Sequence, residues 1–217
     1  MPMINKTHLF CALLGILLLG ACKDSPKEKQ QQQTTENVSA ADVALKVIMN
    51  RTSCRVFQHK EVEQEKIEQL LRAAMAAPTA LNAQPWHFIV INDPEIMKQL
   101  STPSPHTGFL ESAPLAIALC GDMNKKANAI EGQYWEHDVC AATENLLLAA
   151  EALGLGATWT GSYPVKERME TDKKALQLPD HIIPISIVAI GYPAMEPQVK
   201  DKWNPDNISI NRYENKE

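Results

Sequence analysis

Residues 51–57 read RTSCRVF and residues 77–90 read APTALNAQPWHFIV, with a helix-length segment between them. The first stretch gathers Arg51, Thr52, Ser53 and Arg55 within five positions. A guanidinium presents a planar donor fork matched to phosphate oxygens, and charge-assisted hydrogen bonds are roughly twice as strong as neutral ones. Two hydroxyls beside two guanidiniums therefore make a grip for a phosphate. The plainer alternative is a surface turn carrying solvated arginines. The second stretch is bracketed by Pro78 and Pro85, which stiffen it. Its Asn82 and Gln84 each offer a donor and an acceptor, as the edge of a polar heteroaromatic ring requires.

The flanking segments follow from periodicity. Between the two stretches, Glu63–Ala77 places Ile67, Leu70, Leu71 and Ala74 at helical spacing, and Pro78 stops the helix. Upstream, Ser39 and Asp42 form an approximate capping box for a helix whose Val43, Val47 and Ile48 share one apolar face. Downstream, His87–Ile91 reads as a strand, and Asp93-Pro94 as the cap and first turn of a new helix. Pro114–Cys120 is apolar throughout, as expected of a strand buried on both faces. Tyr134–Leu153 is a long helix closed by Gly154. Its lower half, Leu146–Ala150, is apolar nearly all round and must be buried in a core or a subunit interface. Ile185–Ile190 is the last strand. The polar tail from Ala194 carries Trp203, Ile208, Ile210 and Tyr213, which suits a segment wrapping across another surface. Strands and helices mix without βαβ alternation, which predicts an α+β fold. No G-x-G-x-x-G follows a strand, so a Rossmann dinucleotide site is not expected.

Composition bounds the function. The chain has 217 residues and a formal net charge of −5, giving no basic face for nucleic acid. Lys6 precedes an uncharged apolar run, Leu9–Leu19, too short to span a bilayer but suited to a signal peptide. Leu19-Gly20-Ala21-Cys22 resembles a bacterial lipobox, with Cys22 the lipidated residue; an uncleaved anchor or buried helix is the alternative. Residues 23–38 hold KDSPKEK, Gln30–Gln33 and almost nothing apolar, so they read as a disordered tether. The expected organisation is a signal peptide over 1–21, a tether over 22–38 and a folded domain over 39–217. Lipidation would anchor the protein to the cell envelope, at the periplasmic face or the outer membrane, with Lys23 leaning towards the latter. Cys120 and Cys140 fall in core patterns as small hydrophobes. Cys54 either points inward or, between two arginines, is a lowered-pKa, oxidisable thiol. Glu136-His137-Asp138 point in different directions from one helix and cannot share a metal.

Four blocks together resemble the FMN-dependent nitroreductase family. They are the R-[ST]-[ST]-x-R-x-F and A-P-[ST]-x-x-N-x-Q-P-W-x-F pair above, then WEHDVCAATENLLLAAEALGLGATWTG from Trp135, IPISIVAIGYP from Ile183, and K-D-K-W from Lys200. The resemblance implies a three-layer sandwich with a central, mainly antiparallel sheet and a long core helix. It implies FMN as cofactor, with Arg51, Thr52, Ser53, Lys200 and Lys202 at its phosphate and Arg55 near the N1/O2 edge. There a cation offsets the negative charge that develops on reduction. Pro78, Thr79, Asn82 and Gln84 would contact ring or ribityl atoms, and Trp159, Thr160 and Gly161 would bring main-chain groups to the isoalloxazine. Lys202 stands where the family has Arg, so a bidentate contact becomes a point charge. Without the resemblance, Lys200 and Lys202 are simply solvated.

The family further implies a homodimer with the site between subunits. It implies a ping-pong oxidoreductase acting at flavin N5, with no catalytic side chain, reducing nitroaromatics, quinones or a related small-molecule acceptor. The donor would be NAD(P)H or, for an exported protein, a membrane-linked carrier. Ser101–Phe109 is the expected cover of the acceptor face, with His106 and Phe109 as contacts. Alternatives are a reductive dehalogenase of the same superfamily, a lipid-anchored flavin electron relay, or a fold that has lost its cofactor.

Overall fold

Ser39 caps the first helix: its hydroxyl accepts from the Asp42 amide while Asp42 reaches back to the Ser39 backbone, closing the expected capping box over α1 (Ala40–Asn50). The computed structural model describes residues 39–102, 104, 106–127 and 134–214. These all fall in one unit, Val38–Glu217. The expected signal peptide, the Cys22 lipidation site and the tether lie outside the described residues. No described helix is long and apolar enough to cross a membrane.

Helix α2 (Gln64–Met75) buries Ile67, Leu70 and Ala74 on the predicted face. Strand β1 (Trp86–Ile91) follows, and Asp93 caps α3 (Pro94–Ser101) by accepting from the Glu95 and Ile96 amides, with Pro94 in the first turn. Strand β2 (Leu115–Asp122) is buried at every position, and α4 (Tyr134–Ala152) is the long core helix. Two elements escaped the sequence reading: strand β3 (Gly156–Gly161) and helix α5 (Lys166–Leu176). Strand β4 (Ile182–Gly191) closes the sheet, whose order is β1-β2-β4-β3 with every pair antiparallel.

The sheet separates two cores. Along β2, Leu115, Ile117 and Leu119 join the cluster formed with α2 and α4, while Ala116, Ala118 and Cys120 join the one under α3 and α5. Successive strand residues face opposite ways, so an unbroken apolar strand fills both layers. This is the expected α+β three-layer arrangement. Pro184, which cannot donate to a ladder, sits opposite Cys120 where the β2–β4 register shifts. Gly121 is set by packing: a Cβ there would lie 2.3 Å from Cε3 of Trp135, so only glycine lets that indole lie against β2.

Two apolar surfaces stay uncovered in the single chain. Helix α1 buries none of its residues and exposes Val43, Leu45, Ile48 and Met49. The tail exposes Trp203, Ile210 and Tyr213, the last at 87%.

Candidate active site

The basic segment is built into the edge of the sheet. Ser53 makes a parallel bridge with Ala157 of β3, and the Cys54 amide donates to the Ala157 carbonyl at 3.1 Å. Thr158 returns its hydroxyl to the Cys54 carbonyl. Gly156 makes room for this docking, because a Cβ there would stand 2.6 Å from both Cβ and Sγ of Cys54. Cys54 is therefore a core residue, 5% exposed, and burial pushes its thiol up despite the neighbouring Arg55. Of the two readings of Cys54 the inward one is observed, and desolvation outweighs the guanidinium beside it. Cys120 is buried as expected, whereas Cys140 is only half-buried.

The other flank of this segment is held by the tail. Gln58 donates its amide to the Tyr192 carbonyl at 2.8 Å and its side chain to the Pro193 carbonyl at 2.8 Å. The Ala194 amide donates to the Val56 carbonyl at 3.0 Å, and the Thr52 hydroxyl to the Gln198 carbonyl at 3.4 Å. Lys200 lies two residues further on, within about 7 Å of extended chain. Lys200 and Lys202 are both exposed. Arg51 is half-buried and pairs with Glu144 of α4 at 3.6 Å. Arg55 is exposed, and its guanidinium lies 5.7 Å from the centre of the Phe109 ring. His106 is exposed beside the same turn.

The amide loop lies at the start of β1 and is strained. Leu81, Asn82 and Gln84 have φ of 52°, 54° and 49°, the left-handed region that non-glycine residues avoid. Pro78 stands two residues beyond Ala76, the C-cap of α2. Thr79 Oγ1 accepts from the Gln84 amide at 3.2 Å, and Gln84 Nε2 donates to Asn82 Oδ1 at 3.0 Å. Asp138 of α4 accepts from the Ala80 amide at 2.9 Å through one oxygen; its other oxygen is buried without a hydrogen-bond partner. The loop is fixed from behind, leaving Asn82 and Gln84 exposed in front.

Trp159, Thr160 and Gly161 form the far end of β3. Trp159 packs against the α2/α4 core and Thr160 donates its hydroxyl to the Ile187 carbonyl at 2.7 Å. Gly161 is exposed, with nothing within 4 Å of where a Cβ would stand. Strand β3 thus carries the basic segment at one end and an open glycine at the other. Within one chain the cavity beside Thr52 is lined by Gly154, Pro193 and Val199, and that beside Gln84 by Met75, Trp86 and Lys125.

The family model described as the nitroreductase family matches residues 48–104 and 103–192. The chain belongs to the nitroreductase family. That match includes Arg51 to Gly161 but ends before Lys200 and Lys202. Among relatives in this family, the "Putative NADH dehydrogenase/NAD(P)H nitroreductase" of Methanothermobacter thermautotrophicus is 40% identical over 176 residues, 81% of this chain and 90% of that protein. A crystal structure of a protein of the same description from Parabacteroides distasonis is 41% identical, with a TM-score of 0.74 over 78% of this chain and 98% of the other. An FMN-dependent nitroreductase from Clostridium difficile is 27% identical, with a TM-score of 0.71 over 78% and 99%. The nitroreductase fold expected from the four motif blocks is the one observed.

Proposed function

We propose that this protein is an FMN-dependent oxidoreductase of nitroreductase type, working as a homodimer on nitroaromatics, quinones or related acceptors. The observation supporting it is the hydrogen bond from Thr52 to the Gln198 carbonyl, which ties the lysine-bearing tail to the Arg51–Ser53 segment. The donor set fits a mononucleotide flavin: cations and hydroxyls for a phosphate, side-chain amides for a ring edge, and an open glycine for a flat ring. Bound FMN supplies transfer of a hydride or electrons at its N5. Arg51, Ser53, Lys200 and Lys202 bind the phosphate, with Thr52 positioning the tail, and Arg55 is the cation at the N1/O2 edge. The main chain at Trp159–Gly161 faces the ring.

Pro78, Thr79, Asn82 and Gln84 complete the site from the second subunit, in keeping with the separate cavities beside Thr52 and Gln84 in one chain. The exposed apolar faces of α1 and of the tail supply the surface for that dimer. The Leu19–Cys22 lipobox pattern supports attachment to the cell envelope through Cys22. A protein there meets little NAD(P)H, so its electrons come from NAD(P)H only in a test tube and from a membrane-linked carrier such as a quinol in the cell.

The test is an absorption spectrum of the purified protein, followed by reduction with NADPH and with a quinol and reoxidation by a nitroaromatic. A yellow protein that loses its flavin on Arg51→Ala substitution is expected. A colourless preparation that takes up no added FMN defeats the reading. Reduction by NADPH alone removes the membrane-linked donor.

A further inference from the structure

We infer that the cleft where the end of β3 meets α4 and α5 binds a planar aromatic bearing a negative charge. This inference rests on the flavin reading for its consequence, since it makes aromatic anions, such as nitroaromatic carboxylates, the preferred acceptor class. The cleft encloses about 360 Å³ and is lined by Met123, Lys126, Trp135, Tyr163, Lys173 and Ile183.

Its floor is a built aromatic seat. Gly121 lets the Trp135 indole lie against β2, as described, and the indole is only 7% exposed. Tyr163 meets Trp135 edge-on, with ring centres 5.4 Å apart and planes at 70°. The Tyr163 hydroxyl is held by Glu136 at 2.8 Å, which fixes the ring at the cleft wall. A planar ligand ring therefore finds rigid, apolar and aromatic walls, which favour stacked or edge-to-face contact.

Its rim is cationic. Lys126 comes from the turn after β2 and Lys173 from α5, and among the described residues neither is in an ion pair. By contrast the adjacent Lys125 is spent on Asp122 at 3.1 Å. Among the described residues lining the cleft, none is acidic. Two ammonium groups over an aromatic pocket are complementary to a carboxylate or phenolate on a flat ring, and they disfavour a cationic ligand. Tyr163 stands two residues beyond Gly161, so the cleft adjoins the open end of β3 where the flavin ring is proposed.

The test is calorimetric titration of the full-length protein with 4-nitrobenzoate and with nitrobenzene, at low and high salt. Wild type is expected to bind the carboxylate about tenfold more tightly, the worth of one charge-assisted contact. High salt and the Lys126→Ala, Lys173→Ala double variant are each expected to abolish that preference while leaving nitrobenzene binding in place. Equal binding of the two compounds by wild type, a preference that survives the double substitution, or binding of neither would overturn the inference. The flavin content of the same preparations reports separately on the flavin reading.

Discussion

Thr52 donates its hydroxyl to the Gln198 carbonyl across 146 residues of sequence, at 3.4 Å. Their contact ties the stretch just before Lys200 and Lys202 to the residue after Arg51. If those cations share one phosphate, Lys200→Ala and Lys202→Ala should each weaken FMN binding by about tenfold or more, the value of a hydrogen bond to a charged group. Lys202→Arg should tighten it, because a guanidinium contacts phosphate through two bonds. Flavin fluorescence recovered on dilution measures both. Unchanged affinity in all three variants would remove the tail from the site.

Gly156 is the position where packing and the proposed chemistry meet. Its replacement by alanine would drive a Cβ into Cys54, whose Cβ and Sγ lie 2.6 Å away. Overpacking of this kind costs about 1–3 kcal/mol. Gly156→Ala should therefore lower Tm and, by pushing Ser53 off Ala157, reduce flavin content together. A variant that melts like wild type would show that the segment is not pinned there.

Tyr192 ties the exit of β4 to the start of α2. Its hydroxyl donates to Glu63 at 2.6 Å and accepts from Lys66 at 2.9 Å; the Tyr192 bond, then a backbone hydrogen bond and Lys60 at 3.4 Å, hold the Glu63 carboxyl down at about 2. A depressed acid contributes stability present above its ordinary 4.5 and lost as pH falls towards 2. Tyr192→Phe should return Glu63 towards 4.5, read by carboxyl NMR titration. No movement would mean that Lys60 and the backbone hydrogen bond hold it without Tyr192.

Asp172 works in the opposite sense. It is the buried residue of α5 and accepts the Ser162 hydroxyl, and burial raises its carboxyl above the ordinary 3.8. An acid raised in the fold contributes stability at low pH that is lost as pH climbs from 3.8 through the folded value. Asp172→Asn should remove that loss, giving a higher urea midpoint than wild type at pH 7 and little difference at pH 4. Equal midpoints at pH 7 would count against a raised carboxyl.

The exposed face of α1 makes a prediction about assembly. Leu45 and Met49 are 59% and 70% exposed in the single chain. Placing glutamate at both should yield monomers in sedimentation and empty the flavin site. A dimer that persists would place the interface elsewhere.

Much of this was legible in the sequence because local chemistry and tertiary need agree. Ser39 and Asp42, Asp93-Pro94, the uninterrupted apolar run from Leu115 and the length of α4 each name their element without help. Strand β3 was not legible, since GATWTG offers two glycines and no clean alternation; it exists because β4 and the Ser53 segment flank it. Helix α5 was hidden by its charge, with only Asp172 fully buried among eleven residues. In the candidate site, residue types were readable but pairing was not. Nothing in RTSCR foretells that Thr52 meets Gln198, or that Arg55 lies over Phe109. The left-handed turn at Leu81 likewise depends on Asp138 receiving the Ala80 amide from a helix more than fifty residues away.

A clasp whose two jaws, Thr52 and Gln198, stand 146 residues apart has a consequence for the order of folding. Closing so long a loop costs more chain entropy than pairing neighbouring strands such as β3 and β4, so the clasp should shut after the sheet has formed.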